Sequence, residues 1–173
     1  MDNAEATNER HARLQQAPPP APWHRVRACA LILRDGAVLL AEFEDEFGLH
    51  YNLPAGGVEP GETVREAVCR EAWEEAGVRV EVGPLAMVLD NEPVRSGIGR
   101  VAELSLVFAC TAEEDGQPTP ASPDPQQTGA RWVPLAQLDD IVLYPNIGSE
   151  IRAYARTGRC LEHVLEHHLL PSY

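Results

Sequence analysis

The chain has no run of lysine and arginine in its 173 residues, and its formal net charge is −13. Holding a nucleic-acid backbone takes clustered positive charge, so the composition argues against a nucleic-acid polymer as partner. No helix-turn-helix segment or basic extension is present either. No stretch is long and apolar enough to span a bilayer, and the N-terminus lacks a charged-then-apolar leader pattern. The expectation is a cytoplasmic protein with no membrane partner. The four cysteines, Cys29, Cys69, Cys110 and Cys160, are scattered, and none forms the C-x-x-C pair of a zinc ribbon or a thioredoxin-like site. Cys29, Cys69 and Cys110 lie in apolar stretches and read as buried free thiols of a reducing compartment. No internal repeat is visible. The length suffices for one domain with a core.

What is present is concentrated between residues 56 and 78. Gly56-Gly57-Val58-Glu59-Pro60-Gly61-Glu62 is a glycine-rich turn running into a short helix. Thr63 and Glu66 form a capping box at its start, and Gly77 supplies the stop. Val64, Ala67, Val68 and Ala72 give it an apolar stripe. Glu66 with Arg70, and Arg70 with Glu74, stand at i, i+4 as ion pairs. Glu71, Glu74 and Glu75 occupy i, i+3 and i+4, so three carboxylates share one face. Like charges so placed repel, and a divalent cation removes the repulsion. Hard cations such as magnesium choose carboxylate oxygens and keep room for water and phosphate. The chemistry points to a magnesium site for a phosphate-bearing ligand. The plainer alternative is an exposed helix whose charge Arg70 and Arg79 partly balance.

Along the rest of the chain, residues 1–22 end in Ala17-Pro18-Pro19-Pro20-Ala21-Pro22 and read as a flexible Pro-rich tail. Residues 23–173 read as one domain with C-terminal helices. Val26 to Leu33 and Val38 to Phe43, joined by Arg34-Asp35-Gly36, predict a β-hairpin. Gly48 marks a bend, and Tyr51-Asn52-Leu53-Pro54 is extended because a residue before proline avoids the helical region. Strands are expected at Val78–Val82, Pro84–Asp90, Ala102–Thr111 and Ala130–Pro134. Asn91 to Arg100 is expected to be a loop or a wide hairpin turn, and Ala112 to Gly129 a long exposed loop. Leu135–Asp139 predicts a helical turn. Glu150–Thr157 and Leu161–Leu169 predict helices parted by Gly158. Strands on both sides of an isolated helix suggest a mixed sheet between helices.

Residues 56–78 resemble the signature box of the Nudix (MutT-like) hydrolase family, G-x5-E-x7-R-E-U-x-E-E-x-G-U, where U is a bulky aliphatic residue. Gly56, Glu62, Arg70, Glu71, Glu74, Glu75, Gly77 and Val78 fall on it, while Ala72 is smaller than usual. A looser likeness runs from about Arg25 to Leu143 and includes Leu53-Pro54 and Arg131-Trp132-Val133-Pro134. The resemblance implies an α/β fold, the Nudix-type α/β/α sandwich with a mixed β-sheet. It implies a metal-dependent pyrophosphohydrolase using Mg2+ or Mn2+. The substrate would be a nucleoside diphosphate linked to another group, ADP-ribose-like, or a nucleoside triphosphate. Carried over by position, Glu71, Glu74 and Glu75 ligate metal or position the attacking water, and the backbone carbonyl of Ala55 adds a ligand. Arg70 and Glu62 hold the helix carboxylates in place, and Gly56 opens the box. Many relatives are dimers, so a homodimer is expected. The alternative is a non-catalytic nucleotide-sensing module of the same fold, although such modules usually lose box glutamates and none is lost here. Isomerases of isoprenyl diphosphates share the fold but need further acid and cysteine partners that have no place here.

The resemblance leaves the general base open between Glu71 and a glutamate shortly before the strand that carries tryptophan. Gln126 stands near the latter place, and glutamine does not accept a proton from water at neutral pH. Asp124 or Glu92 could replace it. Pro93 and the run Leu53 to Gly56 resemble features of ADP-ribose hydrolases. Trp23, His50 and Tyr51 are candidates to stack on a base, or else strand-edge and core aromatics. His163, His167 and His168 read as a solvated helix face.

Overall fold

The structure is a computed structural model. It describes residues 25–46, 48–96, 99–113 and 116–161, and the side chains of all of these except 91–96 and 99–101. The Pro-rich tail, Trp23, the side chains of Glu92 and Pro93, and the expected helix beyond Leu161 with its three histidines lie outside what is described.

The chain starts with β1 (Arg25–Arg34) and β2 (Ala37–Asp45), an antiparallel hairpin. Asp35 and Gly36 take φ of 48° and 73° between them, the pair of positive values that a two-residue hairpin turn requires. β3 (Gly48–Asn52) folds back along β2, and β4 (Ala55–Gly57) pairs antiparallel with β1. The expected glycine-rich turn therefore begins as a strand. Helix α1 (Val64–Ala76) follows, then β5 (Val80–Ser96), β6 (Gly99–Ala112), β7 (Gln127–Pro134), a 3-10 turn (Leu135–Gln137) and α2 (Gly148–Thr157). The sheet has seven strands in the path β3-β2-β1-β6-β5, with β4 on β1 and β7 on β2. β1 and β6 run parallel and the other pairs antiparallel, so the sheet is mixed, as expected.

The expected strand boundaries around β5 need correction. The strands expected at Val78–Val82 and Pro84–Asp90 are one, β5, which absorbs Gly83 and Pro84 through register shifts between Val82 and Leu85 and between Leu85 and Met87. A proline that would end a regular strand is tolerated at a bulge. Of the two readings of Asn91 to Arg100, the hairpin holds and the loop does not: the described residues of this stretch end a long β5–β6 hairpin, and Pro93 falls at a third shift between Asn91 and Val94.

Side chains alternate across the sheet, as a pleated strand requires. Ala28, Ala30 and Ile32 of β1 join Ala67, Val68, Ala72 and Ala76 of α1 in one buried cluster. Cys29 and Leu31 join Leu138, Ile147, Ile151 and Tyr154 in another on the opposite face. The helices thus cover both faces of the sheet. Alanines meet alanines beneath α1, so the helix packs close to β1. Among the described residues, no helix is long and apolar enough to cross a membrane. Cys29 and Cys110 are buried as expected, and burial pushes their thiols up to about 11 and about 12. Cys69 is exposed, contrary to expectation: it lies on the flank of α1, with its Sγ donating to the Val80 carbonyl at 3.7 Å.

Candidate active site

The site is assembled where α1 crosses β4. At its start Thr63 accepts from the backbone N–H of Glu66, and Glu66 accepts from that of Thr63 at 2.7 Å. The capping box uses Glu66, so the expected Glu66–Arg70 pair does not form. At the other end Gly77 takes φ 65° and donates to Trp73. A Cβ there would run into the Thr119 carbonyl, so only glycine fits both the conformation and the space.

Glu71 is buried and lies directly over Gly56, where a Cβ would collide with its carboxylate. The first box glycine is therefore a seat for a glutamate. Arg70 ties helix and loop together. Its Nη1 donates to Glu71 Oε1 at 2.6 Å and Glu74 Oε2 at 3.2 Å. Its Nη2 donates to the Gly57 carbonyl at 3.0 Å and to Glu62 Oε1 at 2.7 Å, and its Nε reaches Glu62 Oε2 at 3.2 Å. This charge-assisted cage holds the Glu62 carboxyl below its usual range and fixes two helix carboxylates at once. Glu75 accepts the backbone N–H of Ala55 at 2.9 Å. Arg79, expected to balance the helix, instead stacks on Trp73, 5.1 Å from its ring centre.

Burial pushes the carboxyl of Glu75 up to about 7 against the Ala55 N–H that pulls it down, with the neighbouring Glu71 charge adding to the rise. Burial raises Glu71 too, opposed by Arg70. Acids in that condition favour a proton or a cation. Glu71, Glu74 and Glu75 all line one open cleft of about 620 Å³, together with Asp124. Glu71 Oε2, Glu74 Oε1 and Glu75 Oε1 have no hydrogen-bond partner among the described residues. As they stand, no three His, Cys, Asp or Glu side chains among the described residues are gathered closely enough to hold a metal ion. Arg70 and the Ala55 amide take half of the oxygens, and Arg27 donates to the Ala55 carbonyl at 3.0 Å. The donor set is nonetheless one of hard oxygens, with a lone oxygen on each of three acids in a cleft where acids outnumber arginines. Its chemistry fits magnesium or manganese.

The loop after β6 forms the remaining wall. Thr119 donates to the Ala76 carbonyl, Ala121 and Ser122 donate to that of Glu74, and buried Gln127 donates to that of Glu75 at 2.6 Å. These bonds occupy the last carbonyls of α1, which a helix end leaves open, and bring Asp124 beside Glu75. Gln126 is exposed and its amide N–H donates to Asp124. His50 stacks on Phe43 at 5.6 Å, and Tyr51 is buried with its hydroxyl donating to Glu42. Both aromatics are packed against the protein's own side chains. Two residues had escaped the sequence reading. Gln127 carries no local signal. Arg27 does: Arg25 and Arg27 alternate with apolar residues on β1, which puts two cations on one face of a core strand.

A family model described as NUDIX domain matches residues 23–154. The chain is 38% identical over 96 residues to a MutT-like protein of Streptomyces ambofaciens, covering 56% of this chain and 56% of that one. It is 30% identical over 151 residues to human 8-oxo-dGDP phosphatase NUDT18, covering 80% of this chain and 44% of that one. The chain thus spans about half the length of these relatives. A NUDIX hydrolase structure from Nitrosomonas europaea superposes with a TM-score of 0.63 at 22% identity, covering 87% of this chain and 98% of that one. That likeness is one of fold, and the sandwich described above is the fold shared.

Proposed function

The chain belongs to the NUDIX domain family, and from that premise we propose that it is a divalent-cation-dependent hydrolase of a phosphoanhydride bond in a small nucleotide. The substrate class is a nucleoside diphosphate carrying a further group, ADP-ribose-like, or a nucleoside triphosphate. The observation that carries the reading is the pair Glu71 and Glu75. One is buried and the other half-buried, seated on Gly56 and the Ala55 amide, and both face an open cleft from the same helix.

Glu71, Glu74, Glu75 and the Ala55 carbonyl are the groups that would hold Mg2+ or Mn2+. The bound ion supplies charge neutralisation for the phosphates and acidifies water. Arg70 fixes the rotamers of Glu71 and Glu74, and the Ala55 N–H fixes Glu75. In the hydrolysis, water attacks one phosphorus, the anhydride P–O bond breaks and a phosphate leaves. The attacking water gives its proton to a carboxylate. Asp124, which lines the cleft, and Glu71 are the acids we propose for that role, and the exposed Gln126 is not a base.

The test is turnover with Mg2+ against a panel of ADP-ribose, dinucleoside polyphosphates, oxidised purine nucleotides and sugar nucleotides. Release of phosphate or a mononucleotide from one of them is expected. Tight binding of one compound with no turnover of any would replace the enzyme with a nucleotide-sensing module.

A further inference from the structure

Arg27 holds a place in the cleft that the mechanism leaves unused. Its Nη2 donates to the Ala55 carbonyl, the oxygen assigned above to the divalent cation. The N–H of the same residue is held by Glu75. Ala55 is therefore gripped by a cation on one side and an anion on the other. The rest of the guanidinium is poorly engaged. Nε is buried with no hydrogen-bond partner, and Nη1 stands 3.7 Å from Glu103 Oε2, too far for a hydrogen bond. A planar fork with five donors makes one hydrogen bond here, to a neutral acceptor, beside a loose ion pair with Glu103. Its position is also particular. Arg27, Asn52 and Ala55 line both the open cleft and a narrower adjoining crevice of about 60 Å³. The guanidinium stands at the joint between the two, and its charge opposes the burial that raises Glu71 and Glu75.

We propose that Arg27 is a resident cation that occupies the Ala55 carbonyl in the empty protein and turns its fork onto a phosphate of the ligand once a divalent ion takes that oxygen. The inference rests on the proposed cation-dependent reading of the cleft. A divalent ion on the Ala55 oxygen would face the guanidinium at contact distance, and the two repel. A guanidinium released from a neutral carbonyl gains from phosphate oxygens, to which its bonds are charge-assisted and bidentate. Arg27 is thus a positioning and specificity residue. It weakens uptake of the ion alone, strengthens uptake of the phosphorylated ligand, and couples the two.

Calorimetric titration of the full chain with Mn2+ alone tests the first half. Arg27→Ala should bind Mn2+ about fivefold more tightly than wild type, the equivalent of one hydrogen bond that no longer has to be broken. Its KM for the turned-over nucleotide should rise roughly tenfold or more, the worth of a charge-assisted phosphate contact, with a smaller change in kcat. Arg27→Lys keeps the charge and loses the fork, so its Mn2+ affinity should stay near wild type while its KM rises. Thermal melts of both variants report on folding, and the lysine variant carries the test if the alanine variant does not fold. Unchanged or weaker Mn2+ binding by Arg27→Ala, or an unchanged KM, overturns the inference and leaves the hydrolase reading intact. Absence of Mn2+ uptake by wild type, even beside nucleotide, overturns the hydrolase reading and this inference with it.

Discussion

Glu75 is asked to do two things that conflict. Folded, it keeps its proton up to about pH 7, whereas an unfolded glutamate releases it near 4.5. The folded state therefore binds more protons between those values. The stability Glu75 contributes is complete below about pH 4.5 and is lost as pH rises through about 7. In metal-free protein, Glu75→Gln should hold its melting temperature more evenly from pH 5 to pH 8 than wild type, which declines. The same variant should lose about 100-fold or more in turnover, the scale of removing one preorganised electrostatic group. Melts that run parallel across that range, or turnover that survives, would remove Glu75 from its assigned place. Gly56→Ala tests the seat beneath Glu71, because the added methyl meets its carboxylate. We expect turnover to fall at least about tenfold, with a loss of about 1–3 kcal/mol in denaturant unfolding, as overpacking at a close contact costs. At this scale the sequence was informative. The i, i+3, i+4 spacing needs only a helix to bring Glu71, Glu74 and Glu75 together, and periodicity identified that helix. Arg27 was not legible as a partner of Ala55, because the contact crosses the β1–β4 pairing between residues far apart in the chain.

At the scale of the element, α1 is held at its ends by short-range chemistry and along its side by small residues. Thr63→Ala removes the cap and should cost about 1 kcal/mol. Gly77→Ala should cost more, since it meets both a positive φ and the Thr119 carbonyl. Urea unfolding of the two variants checks that order. The helix boundaries were readable because capping box and glycine stop are local signals. The strand boundaries were not. Gly83-Pro84 and Pro93 look like chain breaks in one dimension, yet the β6 partner strand carries β5 through both as bulges. β4 escaped notice because three residues rich in glycine have no strand propensity, and only the edge of β1 makes them one. Ala72, small for its box position, faces the alanines of β1. A larger side chain there would lift the helix from the sheet and lengthen the reach of Glu75 to the Ala55 amide.

At the scale of the whole molecule, the alanine-lined cluster and the larger mixed core place α1 on one face of the sheet and α2 on the other. The cleft opens at one end of that sandwich. Because divalent ions and protons compete for the same carboxylates, Mg2+ should raise the melting temperature more at pH 8 than at pH 5, and EDTA should reverse the gain. At a concentration near 100 times its dissociation constant the ion would add about 2.7 kcal/mol. Equal shifts at both pH values would place the ion elsewhere. The general layout was legible from alternating strands around an isolated helix. The contribution of the loop after β6 was not, since its bonds to α1 are made by backbone amides, which any sequence possesses.

That loop has a practical meaning for anyone who would graft a tag or lengthen the chain. A proline-rich, solvent-facing stretch looks like the natural place for extra residues. Here Thr119, Ala121 and Ser122 are buckled to the end of α1, so added length between residues 116 and 126 would slacken the strap that carries Asp124 to its neighbours.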